Sequence, residues 1–389
     1  MGSARLASLD YIRGLAVLGI LAVNAASFAA PMQSANNPAL WPIALSPADL
    51  WTWWGIHTFF EAKFYTLFAM LFGISLFLVG QKADSATPFA KHPLTGRLGW
   101  LLLFGLIHGA LIWWGDILVM YAVTGFVFWR WRSVSGPKLL LWGTVFWVAG
   151  SAIMAVLLLQ IKQMYDLYSN LIVQIGPEIS QQTALMRGNF LHSLSGNYSE
   201  WTSGLIFTLI LYMPKILGLM MIGLGLFKTG FFEGRYPAWP FMLAGAVSLG
   251  LIGWQNLLDM RAGFPPGDHE AIYGLANEFL SPLVSLAYAL VLTALARAGS
   301  GFTRLLEPVG RMAFTNYLTQ SLMMTALFYG GRGLGLFGTM GYVQLSGIVV
   351  TIWAVQIIWS PLWLRHFLYG PFEWLWRSLS QRRFVRLRP

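Results

Sequence analysis

The sequence predicts an all-α protein that crosses a lipid bilayer about ten times, and three observations carry that prediction. Hydrophobic residues fill 57% of the 389 positions and charged residues only 10%, a balance outside the range of water-soluble domains. Apolar runs of about 20 residues recur along the whole chain, each long enough to cross a hydrocarbon core of ~30 Å as a helix. The cations fall between those runs, crowded into every second loop. No soluble domain fits between the runs. The net charge of +10 is therefore read as topology and not as a nucleic-acid surface. Cysteine is absent, which excludes a disulfide framework, a thiolate nucleophile and a sulfur metal site.

In order, spans are expected at about 11–30, 50–80, 97–114, 116–132, 138–160, 202–227, 237–258, 273–297, 308–330 and 342–365. Arg5 precedes the first span. Lys82, Lys91 and Arg97 follow the second, Arg130, Arg132 and Lys138 the fourth, Lys228 and Arg235 the sixth, and Arg297 and Arg304 the eighth. The tail adds Arg365, Arg377, Arg382, Arg383, Arg386 and Arg388, while the alternate loops hold only Lys162, Arg187, Arg261 and Arg332. That asymmetry puts both termini in the cytoplasm of a cell with the chain in its inner membrane. Three parts follow: an amino-terminal bundle over 1–160, an outer loop over 161–201, and a carboxy-terminal helical region over 202–389 with a basic tail.

A secretory signal is the competing reading of the amino terminus, but Asp10, Arg13 and Asn24 are polar groups that a cleaved apolar segment does not need. In the outer loop, Met164, Leu167, Leu171 and Ile172 recur at helical spacing, so part of it is expected to lie along the interface as an amphipathic helix that caps an outward site. The stretch GRGLGLFG, Gly331 to Gly338, contains G-x-G-x-x-G, yet it follows a membrane helix where the dinucleotide fingerprint needs a strand. It is read as a flexible turn.

Ionisable groups inside a span cost several kcal/mol by insertion scales, so each is a functional candidate, with a structural pair as the alternative. Asp10, Arg13 and Asn24 share a face of span one at 100° per residue. The first two suit an interfacial pair, and Asn24 is either packing glue or part of a site. His57, Glu61 and Tyr65 stand at i, i+4, i+8 on span two, where a carboxylate can hold the imidazole in one tautomer. Lys63 points elsewhere and is read as a structural counter-ion. Span three carries His108, and Asp116 sits at the tight turn after it. By depth, Asn24, His57, His108 and Asp116 converge toward the outer leaflet. Two histidines and a carboxylate without a short ligand motif are a weak case for zinc, and no metal is expected. On the cytoplasmic side Arg311 enters span nine with Asn316, Tyr317 and Gln320 behind it, either to bind a phosphate group or to anchor the helix.

The stretches LDYIRGLAVLGILAVN (Leu9 to Asn24), HTFFEAKFYTLFAMLFGIS (His57 to Ser75), GLIHGALIWWGDILVMYAVTG (Gly105 to Gly125), VGRMAFTNYLTQS (Val309 to Ser321) and GPFEWLWRSLS (Gly370 to Ser380) resemble the YeiB-like bacterial membrane proteins, in that order and over almost the whole chain. The amino-terminal half of that family is similar to the transmembrane acyltransferases, which include the lysosomal enzyme that acetylates heparan-sulfate glucosamine ends. The resemblance implies acetyl-CoA or another acyl-CoA as cytoplasmic donor, and an outer-side acceptor that is a saccharide, a lipid headgroup or a small metabolite. It also implies a membrane histidine preceded by an asparagine late in span one. Asn24 matches that asparagine. His57 is the nearest match for the histidine, although a longer loop separates the two here, and His108 is its rival. On this reading the histidine acts as base or acyl carrier, Asn24 donates to the oxyanion, Asp116 orients His108 or binds the acceptor, and Glu61 supports His57. Arg13, Arg97, Arg311, Asn316 and Tyr317 would face the donor. The competing function is transport of a small or amphipathic solute past the same polar groups. Small-residue faces such as GLMMIGLG, Gly218 to Gly225, would permit the close helix contacts of a homo-oligomer.

Overall fold

The computed structural model describes residues 3–81, 92–167 and 171–389, with the side chains of 3–8 and 171–174 left aside. Lys82 and Lys91, and the side chains of Arg5, Leu171 and Ile172, lie outside the described residues. All regular elements among the described residues are helical: α1 (Ser3–Ala29), α2 (Met32–Asn36), α3 (Pro47–Phe59), α4 (Lys63–Gly80), α5 (Pro93–Ile107), α6 (Leu118–Phe128), α7 (Gly136–Leu167), α8 (Leu171–Arg187), α9 (Phe190–Thr229), α10 (Trp239–Ala262), α11 (Gly274–Arg297), α12 (Gly301–Arg311), α13 (Ala313–Phe328), α14 (Tyr342–Leu364) and α15 (Pro371–Gln381). Two π-turns, His108–Ile112 and His269–Tyr273, extend α5 and precede α11.

Among the described residues eight stretches are long and apolar enough to cross a membrane: Leu9–Ala29, Pro47–Gly80, Pro93–Ile112, Gly136–Leu167, Phe190–Thr229, Trp239–Ala262, His269–Arg297 and Tyr342–Leu364. The chain is thus a polytopic membrane protein. The span expected at 116–132 is present as a shorter apolar helix, Leu118–Trp131, and the one expected at 308–330 as the two helices α12 and α13. With 16 residues, α13 covers only about 24 Å at ~1.5 Å per residue. The expected span of 308–330 is split because α12 ends at Arg311 and the chain turns at Met312 before α13 begins.

Two further expectations change. Span two is not one helix, because α3 stops at Phe59 and α4 restarts at Lys63 after Ala62 takes a left-handed conformation at φ 63°. The expected loop 161–201 is almost wholly helical: α7 runs on to Leu167, α8 packs on α9, and α9 starts at Phe190. Met164 and Leu167 therefore belong to the exposed end of α7 and not to a separate interfacial helix. With 40 residues, α9 is about 60 Å long, twice the thickness of the hydrocarbon core.

The helices stand between a near end, where α1 begins and α15 packs, and a far end. At the near end α15 lies on α5, with Trp376 Nε1 donating to the Arg97 carbonyl at 2.9 Å, and Lys228 Nζ donates to the carbonyls of Arg132 and Val134 at 2.6 and 2.8 Å. At the far end Trp41 Nε1 donates to Met340 O, the Val343 amide to Asp49, and the Gly330 amide to Met186 O. The GRGLGLFG stretch is a turn within this end, with Gly331, Gly335 and Gly338 all at positive φ.

α1 is the central column, packed against α4, α12, α13, α14 and α11. Glycines let the backbones touch: a Cβ on Gly310 would overlap the Asp10 carbonyl, and one on Gly14 the Leu306 carbonyl. Gly310→Ala is expected to push α12 off α1 and lower stability by about 1–3 kcal/mol, read as a fall in unfolding midpoint in detergent. Gly347→Ala, where a Cβ meets open space on α14, should leave the midpoint unchanged. The small residues of Gly218 to Gly225 are spent inside the chain, with Gly218 against α7 and Gly223 against Met70 of α4.

Candidate functional site

Two cavities lie back to back along one face of α1, that of Arg13, Val17, Ile20 and Asn24. The near cavity, of about 300 Å³, is lined mostly by apolar side chains such as Val17, Phe72 and Leu101, and by Arg13, Arg97, Arg311 and Arg377. Among the described residues only Arg13 of these four has a carboxylate partner, Asp10 at 2.5 Å, and it also donates to Ser75 Oγ at 2.9 Å. The guanidinium groups of Arg97 and Arg377 repel one another. Glu373, also in the wall, is occupied elsewhere: it accepts from the amides of Phe314 and Thr315 at 2.7 and 3.0 Å and from Thr315 Oγ1 at 2.5 Å, capping α13. Burial pushes its carboxyl above the ordinary range against the pull of those donors. The near cavity is thus apolar in body and cationic at its end, a shape for an anion with a slim apolar arm.

The far cavity, of about 360 Å³, is lined by Asn24 of α1, Tyr65 of α4, Asp116, Tyr121 of α6 and a face of α9 that includes Glu200, Trp201 and Tyr212. Ile20, Ile117 and Tyr121 line both cavities and so form the partition.

His108 lines neither cavity and lies behind this partition, in contact with Asp116 of the far cavity and Tyr317 of the near one. The π-turn that begins at His108 ends α5, and the loop 113–117 returns the chain so that Asp116 caps α6, its Oδ2 accepting the Val119 amide at 2.8 Å. Asp116 Oδ1 lies 2.9 Å from His108 Nδ1, and both side chains are 1% exposed. The other ring nitrogen, Nε2, lies 2.9 Å from Ser321 Oγ on α13. Because a carboxylate oxygen only accepts, Nδ1 carries a proton, and in the neutral ring Nε2 then has a lone pair for the serine hydroxyl. Tyr317, one turn before Ser321, lines the near cavity and lies against the His108 ring at 5.2 Å. Its hydroxyl is buried without a close hydrogen-bond partner and faces the Ile117 amide.

The predicted site residues therefore divide. Asn24 and Asp116 share the far cavity, with His108 behind Asp116; Arg13, Arg97, Arg311 and Tyr317 share the near one. Asn316 is in neither: it donates to Val309 O and Ser360 Oγ and accepts from Trp359 Nε1 at 3.1 Å, pinning α13 to α12 and α14. His57 and Glu61 do not form a stripe, and no hydrogen bond joins them, because the break at Phe60–Ala62 turns them apart. His57 Nδ1 lies 2.8 Å from the Trp53 carbonyl, and its ring stacks on Trp53 at 4.6 Å beside Tyr273. Glu61 faces the cations Lys63 and Lys215.

The break also explains Lys63. Ending α3 inside the membrane frees its last carbonyls, which need donors. Lys63 Nζ supplies one to His57 O at 3.2 Å and another to Asn277 Oδ1 at 3.0 Å, while Tyr288 Oη donates to Phe59 O at 3.2 Å. Beside it Lys215 Nζ pairs with Glu278 Oε2 at 2.5 Å and donates to Tyr65 Oη at 2.7 Å. At the far end, His269 lies 2.5 Å from Asp259 through Nδ1 and 2.6 Å from Asn36 O through Nε2. Both of its partners accept, so that ring donates twice and has no lone pair for a base.

Sequence reasoning missed Ser321 and Arg377. Ser321 carried a signal, four residues after Tyr317 and hence on its face, but serine in a membrane helix ordinarily bonds its own turn. Arg377 was absorbed into the count of tail cations, and only the docking of α15 on α5 brings it to the cavity.

These features define a polytopic α-helical membrane protein with paired cavities and a buried imidazole behind the wall they share. By similarity the chain belongs to the YeiB-like family. It is 32% identical to the uncharacterized protein YeiB of Escherichia coli (strain K12), over 96% of each chain. It is 31% identical to the uncharacterized protein YxaH of Bacillus subtilis (strain 168), over 97% of this chain and 94% of that one. Residues 224–383 match the family model described as a protein of unknown function, DUF418. No solved structure matches.

Proposed function

We propose that the chain is a membrane acyltransferase that takes an acyl group, such as acetyl, from acyl-CoA on one side and gives it to a hydroxyl or amine acceptor on the other. One observation supports this reading: a cationic near cavity and a polar far cavity share a partition, and a buried histidine behind it touches Asp116 of the far cavity and Tyr317 of the near one. The cation-rich near end is assigned to the cytoplasm of a cell inner membrane by its charge, with both termini there. The phosphates of the donor pair with Arg97, Arg311 and Arg377 at the mouth, where Arg311 is exposed. The pantetheine arm follows the apolar wall inward and brings the thioester to His108. There His108 acts as base, and Asn24 offers its amide across the far cavity to the acceptor or the developing oxyanion. The acceptor is a saccharide, a lipid headgroup or a small metabolite with such a group.

Calorimetry with acetyl-CoA on the detergent-purified protein tests this. Saturable binding is expected, weakened about 10–100-fold by Arg311→Ala or Arg377→Ala, the effect of about 1.5–3 kcal/mol that a hydrogen bond to a charged group carries. If the folded protein binds no acyl-CoA of any chain length, the reading fails. Transport through the same two cavities, which the broken α3–α4 span also favours, then takes its place.

A further inference from the structure

We propose that Ser321, His108 and Asp116 are a nucleophilic triad, and that Ser321 Oγ carries the acyl group covalently between donor and acceptor. This rests on the acyl-transfer reading and names the residue through which the transfer passes.

The geometry has the three contacts that an activated serine needs: hydroxyl to Nε2 at 2.9 Å, Nδ1 to carboxylate at 2.9 Å, and a carboxylate fixed in turn by the Val119 amide at 2.8 Å. The three side chains come from the end of α5, the loop before α6, and α13, so the arrangement is not a by-product of one helix. Packing alone does not account for it. The threonines on either side of it bond the preceding turn: Thr319 donates to Thr315 O and Thr325 to Ser321 O, each at 2.9 Å. Ser321 makes only a longer contact of 3.4 Å to its own local acceptor, Tyr317 O, and stands closer, at 2.9 Å, to His108 Nε2. The position fits the task as well. Asp116 lines the far cavity and Tyr317 the near one, so the buried serine, which lines neither, is joined through His108 and along its own helix to a wall residue of each.

In the first half-reaction Ser321 Oγ attacks the thioester carbonyl carbon as His108 Nε2 takes the hydroxyl proton. The tetrahedral intermediate collapses with cleavage of the carbon–sulfur bond, and His108 returns the proton to the departing sulfur, so free thiol leaves and an ester remains on Ser321. In the second, the acceptor hydroxyl or amine attacks the ester carbonyl while His108 takes its proton. The ester carbon–oxygen bond breaks, and the proton passes to Ser321 Oγ. The unpartnered Tyr317 hydroxyl is the oxyanion donor on the near side.

Two probes separate this proposal from the reading beneath it. The full chain in detergent is treated with a fluorophosphonate, which phosphonylates activated serines without any acyl-CoA. In parallel it is given acetyl-CoA with no acceptor, and peptide mass spectrometry locates the adduct. The expected results are a phosphonyl group and an acetyl group on Ser321, both absent in Ser321→Ala, and labelling slowed at least 100-fold in His108→Gln. Ser321→Ala removes one oxygen from a buried site, and an unchanged unfolding midpoint confirms that it folds. Wild-type CoA release that Ser321→Ala does not slow would overturn the serine carrier and leave acyl transfer standing. Phosphonylation of Ser321 without turnover of any acyl-CoA would leave the triad and overturn the donor. Neither label on Ser321 in folded protein overturns the triad.

Discussion

Asp116→Asn is expected to lower acceptor-independent CoA release by about 10³–10⁴-fold while leaving acetyl-CoA affinity within about twofold of wild type. The argument is one of tautomer. In the wild type both carboxylate oxygens accept, one from His108 Nδ1 and one from the Val119 amide. An asparagine there keeps its oxygen on the Val119 amide, since α6 still needs its cap, and so presents its NH₂ to Nδ1. That donor forces the proton onto Nε2, the nitrogen that must accept from Ser321. The ring stays in place and loses its function as a base. Donor binding is untouched because the arginines lie on the other side of the partition. Stopped-flow release of thiol, set beside calorimetry, reads both quantities. A uniform loss of both would mean that Asp116 only holds the loop before α6, and a turnover within tenfold of wild type would remove His108 from the chemistry.

The membrane architecture was legible because a helix in lipid satisfies its own backbone and advertises itself by apolar length alone. The His108–Asp116 pair was legible too, since a histidine and a carboxylate eight residues apart across a glycine turn have few other places to go. What failed was continuity. The run from Trp51 to Gly80 keeps the length and hydropathy of a membrane span despite His57, Glu61 and Lys63, and nothing in that hydropathy marks the left-handed Ala62. The stripe of His57, Glu61 and Tyr65 was therefore drawn on a helix that does not exist. The buried Lys63 is the residue that reports the break, because a cation with no exposed surface and a carbonyl partner six residues back is the mark of a helix ending inside the membrane. Asn316 failed for a different reason. An amide that can donate and accept at once serves a site and a helix crossing equally well, and only the contacts with Val309, Ser360 and Trp359 decide between them.

Lys215→Met is the second large effect, expected to cost about 3–5 kcal/mol of stability. Lys215 is 2% and Glu278 10% exposed at the side chain, and their contact at 2.5 Å joins α9 to α11 within the apolar slab. Coulomb attraction in that environment offsets the desolvation of both ions only while both are present. Deleting the amine leaves Glu278 close to Glu61, with Lys63 already committed to His57 O and Asn277. It also releases Tyr65, whose hydroxyl Lys215 holds in the wall of the far cavity. The double variant Lys215→Met, Glu278→Leu removes both charges together and is expected to recover most of the loss, so it should unfold at a higher temperature than Lys215→Met alone. Unfolding midpoints in detergent for the two single variants and the double give the coupling directly. Tyr65→Phe separates the two consequences, because it frees the cavity wall while leaving the ion pair intact: a normal midpoint with altered turnover would tie Tyr65 to the site. A Lys215→Met variant as stable as wild type would mean that water reaches this pair, and the α9–α11 contact would then have to be held by apolar packing alone.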